Sequence, residues 1–372
     1  MPSVFCFYSR SPQRQSLITQ KHCLPEQSYL LYGADRFHAY GWCPENNLTH
    51  PPSPKTHILG EYISRILFRL KGYGGDFATV LANLRYANRA DVVFSTVDTV
   101  GIPLALLRYL RILRRPLVYM SIGLVERLDN MSDGPLKRLQ IRSLRSCSVI
   151  AGYGHKEVVQ LQARIGDGPQ YHFVPYGVDT SYLDIDPLVQ GRPVDVLSAG
   201  MDIQRDFYVL AVFARRNPAA RIKVVTSEQE CQKLQNLPPN VECSGPIPFH
   251  QLMQEVAAAK VVALPVKENG YSGGTTSLLQ AMALGKPVVV SETGAIAGGY
   301  GFVDRQHLRF VQPGNALQFA IAIEELLADP KETDLLARRG MDFVKEQHHW
   351  DRFVNDLVAL LGLATSGQSD KI

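Results

Sequence analysis

The residues best able to do chemistry lie in VVALPVKENGYSGGTTSLLQAMALGKPVVVSE, residues 261–292. A β-branched run ends at Val266, a loop carries Gly273 and Gly274, and Thr275 and Thr276 open an apolar-periodic segment that stops at Gly285, two residues before Pro287. Gly285 suits the left-handed position after a helix, and Pro287 cannot continue one. A helix start presents unpaired amides at the positive end of its dipole, and glycines let a ligand approach the main chain. The pattern predicts a diphosphate cradle at Gly273, Gly274, Thr275 and Thr276; a capped helix after an ordinary loop would carry the same letters. A second candidate is LSAGMDIQRDFYVLAVF, residues 197–213, where Gly200 ends a strand and Arg205 is expected in the first turn of the next helix. A cation there opposes the helix dipole unless it meets an anion, and the neighbouring Asp206 is the alternative partner. The planar guanidinium fork matches phosphate oxygens, and two such contacts on strand ends of one half strengthen each other.

Positioning these residues requires strands that end together. With 372 residues the chain exceeds the roughly 250–300 that one core covers, so two domains are expected. Hydrophobic residues at 45% and charged residues at 20% exclude a disordered chain, a collagen and a coiled-coil rod. Strand signals occur at SVFCFYS and over 90–96, 116–122 and 148–153 in the first half, and over 194–200, 221–227, 260–266, 286–292 and 308–313 in the second. Helix-period segments such as 205–216, 248–259 and 274–284 alternate with them, which predicts an α/β protein with two doubly wound, Rossmann-like parallel sheets. The Pro, Gly and Asp signals of 174–196 place the boundary there, giving a first domain over 1–180 and a second over 190–347. HHWDRFVNDLVALLGL, residues 348–363, reads as an amphipathic helix. Ligands of such sheets bind beyond the carboxyl ends of the strands, so with two domains the natural site is a cleft between them.

The second half resembles the nucleotide-sugar-binding domain of GT-B glycosyltransferases, most of all family 4 and its bacterial relatives. The resemblance rests on SAG…RDF, GPIPFHQL (245–252), YSGGTTSLLQAMALGKPVV and VPYGVDTSYL (174–183), with looser similarity in ADVVFSTVDTVGIPLALL and LVYMSIGL. It implies two Rossmann-like domains facing across a cleft, a C-terminal helix returning to the first, and metal-independent transfer of a sugar from a nucleoside diphosphate, UDP first and GDP next, with retention of configuration. The nucleotide sugar would be a co-substrate, and no cofactor or metal is expected. Arg205, Gly274, Thr275 and Thr276 would bind the diphosphate, with Gly200 beside them. The backbone near Gly245 and Ile247 would face the base, and Gln280 the ribose. Many members carry glutamates at the places of Ser272 and Gln280, and a histidine where Ser121, Ile122 and Gly123 stand here. Gln still offers a donor and an acceptor to ribose hydroxyls, without charge. Glu268 is a candidate for the donor-sugar contact that Ser272 cannot make, and otherwise a solvated loop charge. Asp98, Ser121, Glu126 and Arg10 are acceptor-side candidates; Asp98 and Glu126 are equally readable as helix-start carboxylates, Arg10 and Arg14 as surface residues. Two other functions share the sequence: a non-catalytic nucleotide-sugar-binding subunit, or another GT-B-fold enzyme such as a nucleotide-sugar epimerase.

On this resemblance the acceptor would be a hydroxyl of a glycan, lipid or small metabolite. Residues 1–150 hold 19 Lys and Arg against 10 Asp and Glu, whereas the remaining 222 hold 20 against 25. That basic first half predicts an anionic ligand or surface. The segments 104–116 and 135–147, with Arg108, Arg111, Arg114, Arg115, Lys137, Arg138, Arg142 and Arg145, are candidates for peripheral contact with an anionic membrane; solvated faces of sheet-packing helices are the alternative. No RNP-type motif or zinc finger points to nucleic acid. No run of 18 apolar residues predicts a transmembrane helix, and MPSVFCFYSRSPQRQ reads as a strand, not a signal peptide. The six cysteines form no CxxC pair, and in a chain this long they read as reduced thiols of a cytoplasmic enzyme. The one DxD-like string, Asp184-Ile185-Asp186, lies in the linker.

Overall fold

Short runs of Val, Ile, Leu and Phe, buried on both faces, form the inner strands of two all-parallel sheets, the pattern expected where helices cover each side. The structure is a computed structural model that describes residues 1–19, 29–50, 54–69, 74–183, 193–234, 236–271 and 273–366. The chain divides into two compact units, Met1–Val174 with Phe353–Ile372, and Pro175–Arg352.

The first unit contains β1 (Ser3–Phe7), β2 (Cys43–Asn46), β3 (Val92–Ser95), β4 (Leu117–Ser121), β5 (Val149–Gly152) and β6 (Gln170–Phe173), in the order β2-β1-β3-β4-β5-β6. The order reverses between β1 and β3. Phe5, Phe7, Val93, Leu117, Tyr119 and Ile150 form its core with the helices Phe77–Ala87 and Asp98–Tyr109. From Phe353 on, the C-terminal helix Trp350–Ser366 is part of this unit, where Phe353 packs on Tyr153.

The second unit contains β7 (Val196–Ala199), β8 (Ile222–Val225), β9 (Val241–Ser244), β10 (Val261–Leu264), β11 (Val288–Ser291) and β12 (Arg309–Val311), in the order β12-β11-β10-β7-β8-β9. Counted from its own first strand this is the 3-2-1-4-5-6 order of dinucleotide-binding sheets, with the reversal between β7 and β10. Both reversals open a crevice at the carboxyl ends of the strands. The crevice between β7 and β10 receives the two segments singled out from the sequence.

Three of the twelve strands among the described residues carry no signal in the sequence: β2, β6 and β9. All three are sheet edges, and their side chains are mostly exposed or half-buried. An edge strand covered on few sides needs no apolar run, so nothing marks it. The thiol expectation is corrected. Cys231, on the helix Glu228–Lys233, is disulfide-bonded to Cys243 on β9, while Cys6, Cys43 and Cys147 are free and Cys23 lies outside the described residues. The two half-cystines are 12 residues apart in sequence. Closing so short a loop restricts the unfolded chain by about 3 kcal/mol, so reduction should lower the melting midpoint of the second unit by several degrees. Differential scanning calorimetry with and without dithiothreitol measures this, and Cys231→Ser should abolish the difference.

The basic run 104–116 is not one helix. Asp98–Tyr109 ends inside it, and Arg111 takes a left-handed φ of 59°. Arg108 donates to the carbonyls of Ser146 and Arg115, and Arg115 to that of Asn88, so part of this charge serves to pin the turn. In the second basic segment Arg145 donates to the Ile165 carbonyl and Lys137 pairs with Asp133.

Candidate active site

Beyond β7 the chain turns at Gly200 and returns past Asp202 to Arg205. Beyond β10 it runs through Val266 to the loop 267–274. These two stretches pair: Arg205 and Val266 form an antiparallel bridge, Asp206 N donates to Pro265 O at 3.0 Å, and Lys267 N donates to Gln204 O at 2.8 Å. Val266 N is in turn fixed by Ser291 Oγ at the end of β11. Arg205 therefore precedes the next helix instead of opening it. A short 3-10 turn, Phe207–Val209, and then Leu210–Arg216 follow, so the expected placement in a first helical turn is corrected and no dipole opposes the charge.

The Arg205 side chain lies back under Gly200. A Cβ on Gly200 would sit 2.2 Å from Arg205 Nε, so the absence of a side chain there lets the guanidinium pass. Nη2 donates to Ser277 Oγ at 3.0 Å. Nε and Nη1 are buried with no partner among the described residues. Burial pulls the guanidinium down to about 10, against the favourable fields of Asp202 and Tyr271, so it keeps its charge at neutral pH. A buried cation with two unused donors is an unbalanced arrangement that an anion would complete.

Beside it is the start of the helix Thr275–Ala283. Gly274 is its N-cap, with φ 85° and no side-chain cap. A Cβ at Gly274 would lie 3.1 Å from Val266 Cγ2 and 3.4 Å from Arg205 Nη1. The first intrahelical bond runs from Leu278 N to Gly274 O, which leaves the amides of Gly274, Thr275, Thr276 and Ser277 without main-chain partners among the described residues. Gly273 differs: its amide donates to Tyr271 O at 2.8 Å, so it shapes the loop and is not an open donor. Tyr271 donates to the Asp202 carboxylate, tying the loop after β10 to the loop after β7. Gln280 is buried one turn further along the helix. Ser272 lies outside the described residues.

Around the third strand end, Thr226 Oγ1 donates to Gly200 O at 2.8 Å and Thr226 N donates to Ser244 O, so the ends of β7, β8 and β9 are stitched together. Gly245 and the half-buried Ile247 follow β9; a Cβ on Gly245 would meet Glu228 Cγ at 3.2 Å, and the Cys231–Cys243 bond fixes this helix to the strand. Glu268 is exposed, and its Oε1 accepts from Gly294 N at 3.1 Å, which joins the loops after β10 and β11.

The family description "Glycosyl transferases group 1" matches residues 206–329, the segment from the Arg205 turn through the helix start and beyond. An MMP alpha-(1->4)-mannosyltransferase of Mycolicibacterium hassiacum is 25% identical over 334 residues, covering 83% of this chain and 75% of that protein. The fold is that of a sucrose-phosphate synthase from Thermosynechococcus elongatus, with a TM-score of 0.72 at 15% identity over 99% of this chain and all of that one. It is also that of Anabaena HepE in complex with UDP-glucose, with a TM-score of 0.67 at 15% identity over 97% of this chain and all of that one. The chain is a GT-B-fold glycosyltransferase.

In the first unit of this transferase the acceptor-side candidates have other contacts. Asp98, buried at the start of its helix, accepts from Tyr119 Oη at 2.8 Å and Ile122 N at 3.0 Å. Ser121 is fully buried and donates to Glu157 Oε1 at 2.5 Å. The same oxygen accepts from Gly123 N and Leu124 N. Two carboxylates thus hold the turn after β4. Glu126 is half-buried on the helix Leu124–Asn130, and Arg10 is exposed with Nη1 3.0 Å from His57 Nε2. Arg14 is consumed by Leu30 O, Ser9 and Tyr32. Glu157, Ser277, Asp202 and Tyr271 were not singled out. Ser277 was visible in the GGTTS run; the other three carry no local pattern.

Burial raises Asp98 to about 6 and Glu157 to about 7, with Asp98 adding to the rise of Glu157. Both values exceed those of an unfolded carboxyl, so the native state binds more protons. The stabilisation is complete below about pH 4 and is lost as pH rises through 6 to 7. The first unit should therefore melt higher at pH 5 than at pH 8, by on the order of 5 °C. Glu157→Gln should flatten that slope in a calorimetric pH series; an unchanged slope would show that this pair does not titrate as its surroundings dictate.

Proposed function

We propose that the enzyme moves a sugar from a nucleoside diphosphate sugar, UDP first, to a hydroxyl of a glycan, lipid or small metabolite in carbohydrate biosynthesis, with retention and without a metal. The observation that carries this reading is the buried Arg205 guanidinium with its two unused donors beside the open helix start at Gly274. The diphosphate would sit over the amides of Gly274, Thr275, Thr276 and Ser277, with Arg205 Nε and Nη1 on its oxygens. The main chain at Gly245 and Ile247 would face the base, and Gln280 the ribose hydroxyls. UDP is favoured because HepE is described with UDP-glucose and a structural neighbour from Burkholderia vietnamiensis is described as UDP-forming.

The bond from the anomeric carbon to the diphosphate oxygen breaks, and the acceptor oxygen bonds to that carbon on the same face. The acceptor proton passes to the departing phosphate oxygen. Negative charge grows on the diphosphate as this happens, and a guanidinium fixed in a dry site with oriented amides stabilises that charge without reorganising. These groups supply the positive charge that a metal would otherwise bring. Glu268, whose Oε1 accepts from Gly294 N, would make the donor-sugar contact that Ser272 cannot. A cytoplasmic location belongs to this reading; among the described residues no helix is long and apolar enough to cross a membrane.

The test is a thermal-shift screen of UDP, GDP and their sugars, followed by hydrolysis and transfer assays with and without EDTA. UDP or a UDP-sugar should raise the melting midpoint, and slow donor hydrolysis should appear and persist in EDTA. No shift by any nucleoside diphosphate would end this reading.

A further inference from the structure

The helix Pro54–Arg69 uses only one side for the core. Gly60 packs so closely on Phe77 and Ala78 that a Cβ would fall 2.4 Å from Ala78 Cα, and Ile63 and Leu67 join the core on the same side. At 3.6 residues per turn Ile58 and Tyr62 point the other way, and the exposed Leu59 and Ile66 lie along the border between the two sides. Ile58 is 69% exposed and Tyr62 64%, and Phe68 at the end of the helix is 76% exposed. Lys55, Arg65 and Arg69 share this outer face, with Glu61 as the sole acid of the helix. A second exposed apolar cluster, Tyr109, Leu110 and Ile112, lies on the loop that carries Arg111 and Arg114. Ile112 of this second cluster lines a groove of about 620 Å³ together with Thr56, Leu84, Arg85, Arg114 and Arg115.

The charge around this groove is one-sided. The helices Pro54–Arg69, Phe77–Ala87 and Asp98–Tyr109 with residues 110–116 carry eight Lys and Arg and two acids, and one of the two, Asp98, is buried. Soluble proteins rarely leave a helix face of this size apolar, and interleaved basic residues are what an acidic surface complements. We propose that the outer face of helix Pro54–Arg69, together with the loop 109–114, docks on an anionic lipid surface, with the apolar side chains entering the headgroup region and the arginines meeting phosphates. This face has its helix outside the two basic segments marked in the sequence, and its loop, with Arg111 and Arg114, within the first of them. It does not depend on the donor chemistry proposed above.

The experiment is co-sedimentation of the full chain with vesicles of phosphatidylcholine alone and of equal parts phosphatidylcholine and phosphatidylglycerol. Binding is expected to the mixed vesicles and not to the neutral ones, and to fall steeply with added salt. The triple variant Ile58→Ser, Tyr62→Ser, Ile66→Ser should bind at least about tenfold more weakly, and so should Lys55→Gln, Arg65→Gln, Arg69→Gln. Leu317→Ser, an exposed apolar position on the other unit, should change nothing. All variants are solvent-facing and should keep the wild-type melting midpoint and donor response, which separates this result from failure of the donor site. No sedimentation with acidic vesicles at low salt overturns the proposal. Equal binding by both triple variants overturns it as well. A dimer that the serine variant dissociates, without vesicle binding, would assign the face to a second copy of the chain and also overturn it.

Discussion

Arg205→Ala should weaken UDP binding by at least about a hundredfold while leaving the unliganded protein as stable as before. The two effects have one origin. The guanidinium is buried with a single side-chain bond among the described residues, to Ser277, and burial already lowers its proton affinity. Removing a charge that is desolvated and incompletely paired relieves a cost in the free protein, so its melting midpoint should stay within about 2 °C or rise. In the complex the same nitrogens would face diphosphate oxygens. Each charge-assisted bond there contributes about 1.5–3 kcal/mol, and losing two amounts to roughly two to four orders of magnitude in affinity. Arg205→Lys keeps the charge and loses the fork, and should fall between the two. Titration calorimetry with UDP reads affinity and scanning calorimetry reads stability. Undiminished UDP binding by Arg205→Ala, or a collapse of the apo protein, would show that the residue is a structural cation and that the diphosphate site lies elsewhere.

The inner strands of both sheets were readable because burial on both faces demands unbroken β-branched runs, as in Val92–Ser95 and Val288–Ser291. The strands β2, β6 and β9 were not, because an edge strand can carry CPEN or VECS and still pair. The site was readable where chemistry and conformation coincide in adjacent letters. Gly274 takes a left-handed N-cap at the helix start marked in the sequence, and Gly285 the left-handed exit. It was less readable where function depends on a partner far along the chain. Nothing near Arg205 announces that it will lie under Gly200 and bridge to Val266, so its helical placement was wrong while its position at the strand end was right. The Ser121–Glu157 bond spans 36 residues and the Tyr271–Asp202 bond 69, and such pairs exist only once the sheet has set the register. The disulfide is a similar case. Cys231 and Cys243 share no motif, and they meet because the helix after β8 packs on the neighbouring edge strand.

Gly274→Val should disrupt the start of the helix Thr275–Ala283 while leaving every charged group in place. At φ 85° a β-branched residue is strained by about 1–3 kcal/mol. Its Cβ would also press on Val266 Cγ2 at 3.1 Å and on Arg205 Nη1 at 3.4 Å, and valine adds two methyl groups beyond that. The helix start can relieve this only by rotating away from the bridge between Arg205 and Val266, which separates the amides from the guanidinium. A fall of about 5 °C in the melting midpoint is expected, together with loss of UDP affinity of at least about a hundredfold. Gly273→Ala supplies the control, one residue away in the same loop. Its Cβ would meet Asn269 and Tyr271 at 3.4 Å, ordinary contact, and its amide is already bonded to Tyr271 O. Affinity should then change by no more than about threefold. If the diphosphate instead lay against the Gly273 amide, the order of the two variants would reverse, because the loop from Tyr271 to Gly273 would carry the contact and the helix start would be only its support.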